Sequence, residues 1–65
     1  MSADESLGKA EELLERLRSR VDGLERLAES GDAEAAVDEL ADIAEIAKQI
    51  EAEIQRARAD ADAGA

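Results

Sequence analysis

Apolar side chains recur along this chain at alternating steps of three and four residues. The first series is Leu7, Ala10, Leu14, Leu17, Val21, Leu24 and Ala28; the second is Ala33, Ala36, Leu40, Ile43, Ala47, Ile50, Ile54, Ala57 and Ala61. An α-helix turns once in about 3.6 residues, so each series falls on one stripe of a helix in heptad register, whereas a strand has a period of about two. Proline, which would break such helices, is absent,. The one interior interruption is Ser30-Gly31-Asp32, where the pattern steps by five residues from Ala28 to Ala33. Gly31 suits the left-handed conformation that closes a helix, and the Asp32 carboxylate suits the amides that open the next.

The expected fold is all-α: a single unit over residues 1–65, with one helix over about 3–29, a turn at 30–32, a second helix over about 33–60 and a frayed tail over 61–65,. Ser2-Ala3-Asp4-Glu5 reads as a capping box at the start of the first helix. The alternative of one continuous rod is disfavoured by Gly31, by the phase change beside it and by the charges. If the chain folds back at Gly31, residues whose numbers sum to about 62 lie side by side. Arg16, Arg18 and Arg20 then face Asp42 and Glu45, Glu12 and Glu15 approach Lys48, and Asp4 and Glu5 approach Arg56 and Arg58. Exposed pairs are worth only a few tenths of a kcal/mol each, so they select this antiparallel register without holding it.

Holding it falls to apolar burial, and a 65-residue chain has little to spend,. Cys and His are both absent, which excludes disulfides and the usual zinc ligands; no cofactor is expected,. The apolar stripes are wider than a strict two-in-seven seam, because Leu13 and Leu27 flank the first and Val37, Ala44 and Ile46 flank the second. Wide stripes belong to bundles. The expectation is therefore an antiparallel coiled-coil hairpin that dimerises into a four-helix bundle. Its self-association core is Leu13, Leu14, Leu17, Val21, Leu24, Leu27, Val37, Leu40, Ile43, Ile46, Ala47, Ile50 and Ile54, with Ser30, Gly31 and Asp32 forming the turn and its caps.

Catalysis is not expected. Without His, none of Ser2, Ser6, Ser19 or Ser30 has the base that activates a nucleophile, and each reads as a cap or a solvated group,. The carboxylates sit off the heptad seam, on wet faces where nothing raises a pKa, and no inward Glu-x-x-His pattern offers a dimetal site. Eighteen acidic against eight basic residues give a net charge of −10, which repels nucleic acid and anionic lipid,. The Arg16, Arg18, Arg20 cluster has acidic residues opposite it and no aromatic side chain for base stacking,. The longest apolar run, Ala35-Ala36-Val37, is far short of a membrane span, and no signal peptide is read at the start, so the expected location is the cytoplasm,. No small-molecule substrate is expected. The expected partner is a second copy of the chain or a larger protein subunit.

Leu24-Glu25-Arg26-Leu27, the turn Glu29-Ser30-Gly31-Asp32 and the acidic opening of the second helix, Glu34 to Leu40, carry a resemblance to the small subunit of bacterial exonuclease VII. The resemblance spans Leu13 to about Ala59. In that family a Leu-x-Leu element and an aromatic-containing segment ending in Gly follow the turn; Ala33-Glu34-Ala35 and Leu40-Ala41-Asp42 stand there in this chain. The resemblance implies an acidic helical hairpin that accompanies a large nuclease subunit and is inactive alone. The residues themselves point first to a structural, scaffold or protein-interaction module.

Overall fold

A computed structural model describes residues 2–64 as two α-helices, α1 (Ala3–Ser30) and α2 (Ala33–Gly64), folded back on each other. Local chemistry sets both ends of α1. The Ser2 hydroxyl accepts a hydrogen bond from the Glu5 amide at 3.1 Å, satisfying one of the free N–H groups of the first turn,. At the other end Gly31 adopts φ 77°, ψ 16°; its amide donates to the Ala28 carbonyl and the Asp32 amide donates to the Leu27 carbonyl. These paired bonds form a Schellman motif, which a side-chain-free residue closes without steric penalty. Asp32 then turns from ending one helix to starting the next, its carboxylate accepting from the Ala35 amide at 3.1 Å.

α2 continues to Gly64, four residues past the expected end near 60, so the tail expected to fray is helical through Gly64; Ala65 lies outside the described residues. Ala61 and Ala63 carry the highest intrinsic helix propensity and no breaker precedes Gly64,. A contact between the helices also ties this region down. The Asp60 carboxylate accepts a hydrogen bond from the Ala3 amide at 2.7 Å, so a side chain of α2 caps the N-terminus of α1,.

The register matches the antiparallel fold-back, through fewer ion pairs than expected. Arg20 reaches Glu39 at 3.4 Å and Asp42 at 3.5 Å; the remaining ion pair among the described residues, Arg56 with Glu53, lies within α2. Arg20 and Asp42 are well solvated, while Glu39 is mostly covered, so the pairs orient more than they stabilise,.

The seam between the helices is rotated from the expected one. α1 turns Ser6, Ala10, Leu13, Leu17, Leu24 and Leu27 toward α2, which answers with Ala36, Glu39, Ile43, Ile46, Ile50, Glu53 and Ala57, all buried or half-buried. Leu7, Leu14, Val21, Leu40 and Ile54, expected at the heart of the seam, are exposed. Half of each heptad series faces the sister helix and half faces out. Leu13, Leu27 and Ile46, expected as flanks, lie in the seam. Alternate layers on one side of it are polar: the offset that joins Arg20 to Glu39 also sets Leu13 against Ile46 and Ser6 against Glu53.

Candidate interaction surface

Geometry divides the expected core into two groups. Ile46 is buried and Leu13, Leu17, Leu24, Leu27, Ile43 and Ile50 are half-buried between the helices. Leu14, Val21, Val37, Leu40, Ala47 and Ile54 are exposed, Val37 most of all at 63% and Leu40 at 51%. The exposed group is not scattered. Leu7, Ala10, Leu14, Ile50 and Ile54 line one groove along the hairpin with only Glu11 as a charged member. Heptad spacing continues this face to Val21 and Ala28 on α1 and to Ala47, Leu40 and Ala33 on α2,.

Because the chain folds back, the face reads as four rungs: Leu7 beside Ile54, Leu14 beside Ala47, Val21 beside Leu40 and Ala28 beside Ala33. Val37 and Ala44 widen it on the outer side of α2,. The other flank of the hairpin differs in character, with a groove lined by Lys9, Glu12, Leu13, Arg16, Gln49 and Glu53. One side of the rod is apolar and the other is charged.

Two polar residues escaped the heptad reading. Ser6, expected as a cap or a solvated group, is fully buried, and Glu53, expected on a wet face, is 8% exposed. Their positions follow from the rotated seam, which brings two non-periodic side chains inside. Glu53 keeps one oxygen paired with Arg56, but its other oxygen and the Ser6 hydroxyl have no hydrogen-bond partner in the protein. A buried orphan hydroxyl is destabilising, and Ala is the better helix former. Ser6→Ala is therefore expected to raise stability by about 1 kcal/mol, read as a higher midpoint in denaturant titration followed by circular dichroism.

Among the described residues no group of three or more acidic side chains could hold a metal ion. Nor, among those residues, is any helix long and apolar enough to cross a membrane. No protein-family model, curated protein or solved structure matches the chain. The fold itself defines an all-α chain of two helices, and the apolar face is its most distinctive surface.

Proposed function

We propose that this chain is a non-catalytic, self-associating helical hairpin, two copies of which close face to face into a four-helix bundle, and that it serves in the cytoplasm as a structural or scaffold module for protein interaction. The observation that carries this reading is the direction of the heptad stripes. On a helical wheel the stripe of α1, Leu7 to Ala28, points about 50° away from the direction of α2, toward the apolar face. In a square bundle the axis lies about 45° from the direction of each neighbouring helix. The stripe of α2 is turned the same way, so both helices aim at an axis above the face.

Surface area supports the same reading. A compact monomer of 6.9 kDa is expected to expose about 4,000 Å²,. This chain exposes 4752 Å². The excess is close to the roughly 800 Å² that one partner contributes to a standard interface. The sequence holds no His to serve its four Ser residues as a base, and the net charge of −10 opposes direct contact with nucleic acid,.

Sedimentation equilibrium tests the proposal. A dimer at micromolar concentration, with a melting temperature that rises with concentration, is expected. A monomer whose unfolding is independent of concentration overturns it. That result would favour a larger partner on the same face, the arrangement implied by the resemblance to the exonuclease VII small subunit, which the Glu29-Ser30-Gly31-Asp32 turn carries.

A further inference from the structure

The apolar face is tapered. Its rung nearest the chain termini pairs two large side chains, Leu7 and Ile54, and its rung nearest the turn pairs two methyl groups, Ala28 and Ala33. The middle rungs are mixed, Leu14 with Ala47 and Val21 with Leu40.

Resting on the self-association proposed above, we infer that the two hairpins pair head to tail, with their turns at opposite ends of the bundle. Pairing with both turns at one end stacks four large side chains in one layer and four alanines in another. Helix separation in a bundle is set by the side chains at the contact, so such a dimer must splay at one end or leave a void at the other. Head-to-tail pairing removes the mismatch. Leu7 and Ile54 meet Ala28 of the partner subunit and Ala33 of the partner subunit. Leu14 and Ala47 meet Val21 of the partner subunit and Leu40 of the partner subunit. Each end layer then sets two large side chains against two alanines, and both middle layers hold the same four residues, the arrangement that fills layers at a more uniform spacing.

Charge at the rim leans the other way, since head-to-tail pairing brings Arg18 near Arg18 of the partner subunit at the two-fold axis. Arg18 is exposed, and exposed rim charges contribute little beside layer packing,. Side-chain volume decides the sense of pairing.

The chain has no cysteine, so a single introduced one takes a spin label cleanly. Glu29→Cys labels the turn end and Glu5→Cys the terminal end, both at exposed positions. Each lies about 17–19 Å from the middle of the rod at about 1.5 Å per residue. Double electron–electron resonance on either singly labelled full-length chain is expected to give one inter-protomer distance near 40 Å, with a modulation depth for two spins. Distances below about 30 Å for both labels overturn the head-to-tail sense and leave the dimer standing. Absence of a dipolar signal at either site, with a monomer in sedimentation, overturns the self-association itself and this inference with it.

Discussion

Replacing Leu14 and Leu40 together by Glu is expected to leave a helical chain that no longer associates. Both side chains are exposed on the hairpin, so the substitutions disturb little within it. In the proposed bundle each protomer loses the burial of the roughly half of each Leu side chain that the hairpin leaves exposed, worth about 1 kcal/mol apiece, and gains carboxylates that would have to be desolvated,. With two copies per dimer, the dissociation constant should rise by about a thousandfold or more, because each 1.4 kcal/mol is about a factor of ten. Sedimentation at micromolar concentration reads the change directly. Arg16→Ala, on the charged flank, should leave the dimer intact. A Leu14→Glu, Leu40→Glu double variant that remained dimeric would place the interface elsewhere.

Ile46→Ala should cost about 2–5 kcal/mol per protomer in thermal or denaturant unfolding. Among the described residues Ile46 is the one large apolar side chain that the hairpin buries by itself; the other buried apolar residues are Ala10 and Ala57. Leu14→Ala makes the informative comparison. In a lone hairpin its removal should cost well under 1 kcal/mol, since 42% of Leu14 is already exposed,. In a bundle the same change deletes a side chain aimed at the axis and should approach the cost of Ile46→Ala. Equal effects support the bundle; a large effect at Ile46 with none at Leu14 counts against it.

The helix ends and the turn were legible in the sequence because capping is short-range. Ser2 to Glu5, Gly31 to Ala28 and Asp32 to Ala35 are each decided by residues three apart along the chain. The antiparallel register was legible for a different reason: opposite charges sit at matching distances from the turn, and Arg20 with Asp42 realises that match. The rotation of the seam was not legible. A heptad stripe names a direction on a helix, and in a bundle that direction bisects two neighbours, so periodicity alone cannot say which half of the stripe meets the sister helix. Reading the whole stripe as the intramolecular seam concealed Ser6 and Glu53, whose polar side chains give no periodic signal. The Asp60 cap on Ala3 spans 57 residues and has no local signature. The charge-matching register, extended to the ends of the helices, would have brought the two residues together.

The alternation of polar and apolar layers in the seam gives the hairpin a way to reject sliding errors. On the offset that Arg20 and Glu39 set, Leu13 falls level with Ile46, with Arg20 and Glu39 one heptad to one side and Ser6 and Glu53 one heptad to the other. If α2 slipped by one heptad in either direction, Leu13 would meet Glu53 or Glu39, and a carboxylate would enter an apolar layer without a partner. A uniformly leucine-rich seam would accept that slip almost without penalty. A slip of two heptads does no better, since Leu13 would then meet Asp32 or Asp60, and the short link between Ser30 and Ala33 leaves no slack for it. The polar layers therefore act as a vernier: they weaken the grip between the two helices while leaving one setting in which every graduation lines up.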